Sequence, residues 1–273
     1  MAWISRTSAA IVFVLATQAH ADSGAPVTLT GETMGTTYTV RLTRLPDGVS
    51  AAELQREIDR RLERVNDLMS TWRPDSELSR FNRHQGTDWF PVSADTAKVV
   101  AEARRTSDLS GGAFDATVMP LVDLWSFGPA GRPQAVPSPE ELAAARERVG
   151  YENVEVRSDP PALRKLQPGV QLDLSAIAKG YGVDVIAASL EGLGSGLQTS
   201  NGPGKASSPS RVTQPAHLKS VSPTPTGDLV EIGGEVRARG TKPDGAAWQV
   251  GIETPTSNRR GIQRVLALRD RAL

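Results

Sequence analysis

The sequence of 273 residues contains no cysteine, only three histidines and few aromatic residues, which make up 5% of the chain. The absence of cysteine excludes disulfides, thiolate metal sites, iron–sulfur clusters and a cysteine nucleophile. The 31 lysines and arginines equal the 31 aspartates and glutamates in number, so the chain has no net formal charge. A neutral chain lacks the basic excess that attracts nucleic acid, and we therefore expect no nucleic-acid partner.

Histidine is too scarce to support the common histidine-based sites. Beyond the first 21 residues only His84 and His217 occur, both in polar, loop-like sequence, which leaves almost nothing for a histidine metal site or a Ser–His relay. The sequence also lacks the phosphate loop of nucleotide hydrolases, the dinucleotide-binding glycine fingerprint and the His-Glu-x-x-His zinc motif. An enzyme with this composition would depend on carboxylates, hydroxyls, lysine, arginine and oxygen-bound Mg²⁺.

The N-terminus has the pattern of a secretory signal peptide. Arg6 precedes a short apolar run over 9–16, and Ala19 and Ala21 supply small residues before a cleavage site. The apolar run is shorter than the ~20 residues that a membrane-spanning helix needs, and no cysteine follows it that could carry a lipid anchor. We therefore expect cleavage after Ala21 and, in a bacterium, a soluble periplasmic protein with no membrane anchor. The alternative, a buried N-terminal helix, is disfavoured because the next strand pattern begins only near Val27.

Past this segment, the spacing of apolar residues predicts four helices. Residues 51–69 and 94–109 carry apolar side chains at helical spacing, and a Ser-Gly-Gly stretch ends the second of these helices. Ser138 begins a capping box and a third helix, which we expect to end at Gly150. A fourth helix is predicted over about 176–193. Alternating or apolar runs predict strands over 38–42, 154–156, 169–172, 229–232, 247–253 and 263–268.

Residues 195–227 do not fit this alternation. Gly, Pro, Ser and Thr fill 20 of these 33 positions, and the segment carries Lys205, Arg211 and Lys219 but no acidic residue. Such a composition buries too little apolar surface to offset the entropy of ordering it. We expect a flexible surface insertion within a single domain that spans residues 22–273.

Three further segments combine small and charged residues in ways that suit a ligand, although each also has an ordinary structural explanation. Residues 110–117 carry an aromatic side chain and a carboxylate just after a helix, where glycine also serves as a C-cap. Residues 173–180 put Asp, Ser and Lys at a helix start, which suits a phosphate but equally suits N-capping. Residues 231–235 place two glycines after a strand, which permits close approach of a ligand or a bulge.

Five longer motifs stand in one order along the chain. They are Gly-Glu-Thr-Met-Gly-Thr at 31–36, Met-Ser-Thr-Trp-Arg-Pro-Asp-Ser-Glu-Leu-Ser-Arg-Phe-Asn at 69–82, Gly-Gly-Ala-Phe-Asp at 111–115, Leu-Asp-Leu-Ser-Ala-Ile-Ala-Lys-Gly at 172–180 and Val-Glu-Ile-Gly-Gly-Glu at 230–235. This series closely resembles the flavin transferase family (ApbE, FAD:protein FMN transferase). The resemblance extends over about residues 28–273 apart from the insertion, and five motifs in one order make it specific.

The resemblance implies an α+β fold, with helices packed on mixed, largely antiparallel sheets around a central flavin cleft. It implies an Mg²⁺-dependent periplasmic enzyme that binds FAD, transfers its FMN half to a Thr or Ser hydroxyl of a target protein and releases AMP. The implied targets are flavoprotein subunits of membrane redox complexes. Since the attacking hydroxyl belongs to the target, such an enzyme needs no Ser–His pair of its own, which agrees with the scarcity of histidine.

The resemblance also implies roles for individual residues, matched motif by motif. The residues that would bind FAD are Met34, Trp72, Ala113, Phe114, Asp115, Asp173, Lys179 and Leu273. Trp72 stands where the family often has tyrosine, and it keeps an aromatic face for stacking. The main-chain oxygen of Ala176 would be one Mg²⁺ ligand, and no catalytic side chain is assigned.

The family pattern continues beyond Leu273, the last residue of this sequence, into segments that supply the remaining Mg²⁺ ligands. From the sequence we therefore expect a C-terminally truncated chain in which FAD binding is impaired and transferase activity is weak or absent. Two alternatives follow. One is a non-catalytic periplasmic protein that binds FAD, and the other is an inactive fragment of the transferase with unpaired sheet edges.

Overall fold

The computed structural model describes residues 25–46, 48–131, 136–194, 227–255 and 261–273. The expected signal peptide over 1–21 lies outside these residues, as does almost all of the expected insertion over 195–227, so both stay predictions. Within the described ranges, no helix combines the length and the apolar character that crossing a membrane requires.

The helices of the described residues are α1 (Ala51–Met69), α2 (Glu77–Arg83), α3 (Ala94–Leu109), α4 (Met119–Leu124), α5 (Pro139–Arg146) and α6 (Ser175–Gly194). The bounds of α1, α3 and α6 agree with the predicted helices to within one residue at each end. The sequence patterns predict neither α2 nor α4, because helices of seven and six residues are too short to show a periodicity.

The third predicted helix, α5, begins as expected and ends early. Ser138 and Glu141 form the predicted capping box, in which each side chain accepts the main-chain N–H of the other residue. The helix ends at Arg146 instead of Gly150, because the N–H of Val149 bonds three residues back, to the carbonyl of Arg146, and not four. Gly150 then has a φ of 151° and leads into a short 3-10 turn.

The strands of the described residues are β1 (Val27–Thr33), β2 (Thr36–Leu42), β3 (Phe90–Pro91), β4 (Val154–Ser158), β5 (Pro161–Lys165), β6 (Gly227–Ile232), β7 (Glu235–Gly240), β8 (Trp248–Glu253), β9 (Ile262–Leu268) and β10 (Arg271–Ala272). They form a five-stranded sheet in the order β1-β2-β6-β7-β10, a three-stranded sheet in the order β3-β5-β4 and the hairpin β8-β9. All of these pairings are antiparallel. Helices packed on antiparallel sheets confirm the predicted α+β fold.

The predicted strand over 169–172 is wrong, since this stretch pairs with no strand in the described part of the chain. Its backbone bonds to a side chain instead. Asn82 Nδ2 donates to the carbonyl of Leu172, and the N–H of Leu172 donates to Asn82 Oδ1, both at 2.8 Å. Val170 and Leu172 are nevertheless buried, which is why the stretch has the composition of a strand.

Helices α1 and α6 each contribute to two hydrophobic cores. The first core packs the end of α1, α2, α3 and the start of α6 against the three-stranded sheet, around Phe81 and Leu163. The second core packs the earlier part of α1 and the later part of α6 against the five-stranded sheet, around Ile58 and Val230. Met34, in the turn between β1 and β2, packs against both. This turn therefore lies where the two cores meet.

Candidate functional site

A cleft of about 770 Å³ opens beside the turn between β1 and β2. Its walls are this turn, the last turns of α1, the segment 70–73 and the first turns of α6. Three of the residues predicted to bind FAD line it, namely Met34, Trp72 and Lys179. They come from three distant stretches of the sequence, and the fold brings them together.

Met34 occupies the turn with a backbone conformation that few side chains adopt. Its φ is 50° and that of Gly35 is 71°, as in the two-residue hairpin turns that need positive φ at both positions. The methionine compensates for this unfavourable φ by packing against both cores. Its Cε lies 3.1 Å from where a Cβ on Gly182 would be. The glycine in α6 therefore leaves the space that Met34 fills.

Trp72 presents its indole to solvent at the cleft, with 66% of the residue exposed. Its main-chain N–H donates to Ser70 Oγ at 3.2 Å. Arg73, the next residue, donates to both carboxylate oxygens of Glu63 at 2.7 and 2.9 Å and to Asp67 at 2.7 Å. The bond from Arg73 lowers the pKa of Glu63. The indole thus stands on an anchored backbone, with a face available for stacking on a planar ring.

Lys179 lines the cleft from the first turns of α6. Its Nζ donates to the carbonyl of Ser175 at 3.0 Å. Its stem lies against the turn between β6 and β7, because a Cβ on Gly233 would be 3.1 Å from Lys179 Cδ and 2.7 Å from Thr36 Cγ2. No carboxylate of the described residues forms an ion pair with Lys179. Its positive charge is therefore available to an anionic ligand.

The predicted residues Ala113, Phe114 and Asp115 do not line this cleft. Asp115 has structural partners: its Oδ1 accepts the N–H and the hydroxyl of Thr117 at 2.7 and 2.6 Å, and its Oδ2 accepts the N–H of Tyr151 at 3.0 Å. Phe114 is half-buried against the first core, and Ala113 is exposed. The carboxylate thus ties this loop to the chain that follows α5, whatever its role toward a ligand.

Asp173 joins the start of α6 to the loop that contains Asp115. Its N–H donates to the carbonyl of Ala116 at 2.7 Å, and its Oδ1 accepts the N–H of Ser175 at 2.8 Å. Asp173 therefore satisfies the N–H of the first residue of α6 from just outside the helix, a structural role close to the capping that the sequence left open. Ala176, the predicted source of a main-chain metal ligand, lies exposed in the same first turn.

The first turn of α6 offers less for a phosphate than the motif at 173–180 suggests. The N–H groups of Ile177 and Ala178 both donate to the carbonyl of Leu174, at 3.0 and 2.8 Å, and the N–H of Ser175 is held by the cap. An anion at this end of α6 would therefore depend more on Lys179 than on free N–H groups.

Leu273 lies at the edge of the five-stranded sheet. Its N–H and its carbonyl pair with the main chain of Val236, at 2.8 and 3.0 Å, and the residue is 48% exposed. Val236 follows the turn between β6 and β7, whose Gly233 contacts the stem of Lys179. Leu273 therefore reaches the cleft only indirectly, through that turn.

Two other groups at the cleft make contacts that no signal in the sequence would have identified. Asn66, on the polar face of α1, donates from Nδ2 to Thr33 Oγ1 at 3.2 Å and so links the helix to β1. Arg73 lies inside a motif, but its ion pair with Glu63 joins residues ten positions apart across the end of a helix. Helical spacing predicts neither contact.

The model of the ApbE family matches residues 34–197 and 225–273 of this chain. The FAD:protein FMN transferase of Vibrio cholerae is 42% identical over 247 residues, which cover 90% of this chain and 64% of the relative. The FAD:protein FMN transferase of Haemophilus influenzae is 39% identical, with 89% of this chain and 63% of the relative covered. The chain thus spans less than two thirds of the length of either relative.

Solved structures show the same similarity. The flavin transferase ApbE from Vibrio cholerae superimposes on this chain with a TM-score of 0.75 and 42% sequence identity. The superposition covers 91% of this chain and 70% of the Vibrio cholerae chain. The apo form of the flavinyl transferase ApbE from Pseudomonas stutzeri has a TM-score of 0.71 and 33% identity, with 90% and 66% covered. The match of the family model, these structural similarities and the five ordered motifs agree, and the chain belongs to the ApbE family.

Proposed function

We propose that this protein is an FAD:protein FMN transferase, which moves the FMN half of FAD to a Thr or Ser hydroxyl of a target protein and releases AMP. Its family and the names of its relatives from Vibrio cholerae and Haemophilus influenzae support this proposal. The observation that carries it is the meeting of Met34, Trp72 and Lys179 in one cleft of about 770 Å³. Cofactor pockets typically measure ~300–1,000 Å³.

In this proposal the cleft holds the dinucleotide by a ring and by its phosphates. The exposed face of Trp72 stacks on a ring of FAD, and the thioether of Met34 packs beside it. Lys179, which has no acidic partner in the described ranges, faces the pyrophosphate. Its charge then offsets the negative charge that develops as the bond to AMP breaks.

The transfer itself is a displacement at phosphorus. The acceptor hydroxyl attacks the phosphorus of the FMN phosphate, a new P–O bond forms, the bridging P–O bond to AMP breaks, and the hydroxyl proton leaves to solvent. Because the target brings the nucleophile, the chain contributes positioning and charge stabilisation. This division of labour requires no Ser–His pair in the protein.

We also propose that the transfer depends on Mg²⁺, with the main-chain oxygen of Ala176 as one ligand. The described residues contain no group of three or more acidic or histidine side chains that could hold a metal ion. They therefore supply no side-chain set for the shell of about six oxygen atoms that Mg²⁺ takes. For this reason we assign no step of the reaction to the ion.

The proposal includes a periplasmic location, with flavoprotein subunits of membrane redox complexes as acceptors. The signal-peptide pattern over 1–21 and the family resemblance support it. Mass spectrometry of the protein from a periplasmic extract tests the location. The expected first residue is Asp22, and a protein that keeps Met1 in the cytoplasm would contradict it.

The activity is tested by incubating the intact protein with FAD, Mg²⁺ and a target that carries the acceptor threonine. Flavin fluorescence on the denatured target band, with release of AMP, would support the transfer and would overturn the expectation from the sequence that activity is weak or absent. Lys179→Met should slow labelling by about tenfold or more, because the charge that faces the phosphates is lost. Lys242→Met, which removes a lysine outside the cleft, is the matched control and should label at the wild-type rate.

The other outcomes of this assay are equally informative. FAD that stays bound while the target remains unlabelled would support the non-catalytic FAD-binding protein instead. A well-folded protein that neither binds FAD nor labels the target would contradict both functions.

A further inference from the structure

Helix α2 lines no part of the cleft, yet it is bonded to one segment that lines the cleft and to the chain that leads into another. Three polar side chains, Ser76, Ser79 and Asn82, recur at intervals of three residues at its start and along it, and all three are buried. Buried polar groups need hydrogen-bond partners. Here the partners are main-chain groups of the chain that leads to Trp72 and of the chain that leads to α6.

The two hydroxyls hold the segment that carries Trp72. Ser76 and Ser79 donate to the carbonyl of Ser70 at 2.5 and 3.1 Å. Ser70 Oγ in turn accepts the N–H of Trp72 at 3.2 Å. The backbone below the indole is therefore fixed to the start of α2.

Asn82 holds the segment that leads into α6, whose first turns line the cleft. Its amide makes a reciprocal pair of 2.8 Å bonds with the N–H and the carbonyl of Leu172. This pair replaces the strand neighbour that the stretch 169–172 does not find among the described strands. The next residue, Asp173, caps α6 through the N–H of Ser175. The amide of Asn82 thus determines where the backbone enters α6.

Lys165, at the end of β5, bonds to the C-terminal end of α2. Its buried Nζ donates to the main-chain carbonyls of Asn82 and His84, at 3.1 and 2.7 Å. Burial lowers the pKa of Lys165 to about 8, and an amine as well as an ammonium has donors for both carbonyls. Helix α2 is therefore bonded at its start, along its buried face and at its end.

We propose that Asn82 is a positioning residue for the FAD site, and that it sets the distance between the wall that carries Trp72 and the first turns of α6 with Lys179. The inference rests on the proposed function. Asn82 acts through the backbone of Leu172 and Asp173. Without the amide, both main-chain groups of the buried Leu172 lose their partner, so this backbone would shift to find another one.

The test measures the affinity of the intact protein for FAD by isothermal titration calorimetry in Mg²⁺ buffer. Asn82→Leu removes both bonds, and we expect FAD binding to weaken by about tenfold to a hundredfold. Thr43→Val is the matched control, because buried Thr43 Oγ1 makes an equivalent reciprocal pair with the N–H and the carbonyl of Gly227, at 3.2 and 3.1 Å. That pair lies at the start of β6, so the control should lose stability and keep its affinity for FAD.

A second variant tests the geometry itself. A protonated carboxyl copies an amide, because it has one O–H donor and one carbonyl acceptor. Asn82→Asp should therefore bind FAD weakly at about pH 8 and recover affinity at about pH 4.5, because burial at this position raises the pKa of the new carboxyl above its ordinary ~3.9. The ionisable groups around this position include Lys165, His84 and Asp173. The wild-type protein carries the same groups, so affinities are compared with it at each pH.

Measured at pH values where circular dichroism shows the variant folded, this recovery is a readout that a loss of stability alone would not produce, and it remains usable if Asn82→Leu does not fold. Hydrogen exchange of the main-chain amides over 172–179 in the FAD-free protein gives a second readout, of the backbone that leads into α6. It should speed up in the Asn82 variants at about pH 8 and not in Thr43→Val.

Three results would each overturn the inference. They are wild-type affinity in Asn82→Leu, an equal loss in Asn82→Leu and Thr43→Val, and an Asn82→Asp protein that stays weak at low pH. If the wild-type protein itself takes up no FAD, the proposed function fails, and the inference falls with it for that separate reason.

Discussion

At the residue scale, Lys165 is a cation that no carboxylate of the described residues neutralises. It is fully buried, lies 4.9 Å from the centre of the Phe81 ring and bonds to two main-chain carbonyls. Burial disfavours its charged form and lowers its pKa from 10.5 to about 8. Between these two pH values the unfolded chain binds more protons than the folded chain, so the contribution of this group to stability increases as the pH rises.

Lys165→Met removes this titration. The wild type should therefore become more stable relative to the variant as the pH rises. We expect the difference between their free energies of unfolding to gain on the order of 1–3 kcal/mol between about pH 7.5 and pH 10. Urea titrations of both proteins at the two pH values measure the gain, and groups that both proteins share cancel in the difference. A difference that stays constant with pH would show that Lys165 titrates normally.

Gly233 is the residue on which the position of Lys179 depends. Its φ is +55°, and a Cβ there would lie 2.7 Å from Thr36 Cγ2 and 3.1 Å from Lys179 Cδ. Gly233→Ala should therefore destabilise the protein by about 1–3 kcal/mol and weaken FAD binding, because the new methyl group displaces the lysine stem. Thermal unfolding and FAD titration measure the two effects.

Gly245→Ala is the matched control for that substitution. Gly245 also has a positive φ, of +78°, but a Cβ there would meet nothing within 4 Å. This variant should show only the backbone penalty of roughly 1–2 kcal/mol and bind FAD normally. Equal losses of FAD affinity in the two variants would contradict the role given to Gly233.

At the element scale, the sequence predicts those elements whose buried side is apolar. Helix α1 carries Leu54, Ile58 and Leu62 at helical spacing, and all three are buried. Helix α2 has no such signal, because it is short and its buried side includes the polar residues Ser79 and Asn82. A polar residue that is buried by its hydrogen bonds has the same sequence signature as an exposed one. For this reason α2 was not predictable, and neither was the role of Asn82.

The candidate site divides in a similar way. Met34, Trp72 and Lys179 were predictable because each lies in a motif of the family resemblance, and the structure places them in one cleft. The loop over 110–117 contains a motif of the family resemblance, but the sequence does not predict the partners of Asp115. One of them is the N–H of Tyr151, 36 residues away, and local spacing carries no signal for such a contact.

The contribution of Asp115 to the stability of the protein can be measured separately from any role in binding FAD. Asp115→Asn replaces one acceptor oxygen by a donor that would face an N–H or a hydroxyl. The free energy of unfolding in the absence of FAD should therefore fall by about 1–3 kcal/mol. Asp244→Asn is the control, since Asp244 lies in an exposed turn and accepts a single N–H, from Ala246. Wild-type stability of Asp115→Asn without FAD would mean that this carboxylate serves only the ligand.

At the scale of the whole molecule, α1 and α6 connect the first and second hydrophobic cores, while a third, smaller cluster surrounds Trp248. Met69 of α1 and Ala178 of α6 belong to the first core, whereas Ile58 of α1 and Ile186 of α6 belong to the second. Neither core can lose its packing without loosening helices on which the other depends. The two cores should therefore unfold together.

This coupling predicts a single unfolding transition. Far-ultraviolet circular dichroism and tryptophan fluorescence should give the same urea midpoint, and the calorimetric and van't Hoff enthalpies should agree. Two separated transitions would contradict the coupling. A broad, non-cooperative melt would instead support the inactive fragment that the sequence leaves open.

The position of Met34 between the first and second cores makes the fold sensitive to oxidation of this residue. Its thioether is the only methionine sulfur that meets both clusters among the described residues, and it borders a cleft open to solvent. Oxidation to the sulfoxide would insert a polar, larger group between apolar surfaces and at the place proposed for the flavin. In an oxidising compartment, occupancy of the cleft by the proposed substrate would therefore shield this sulfur from chemical damage.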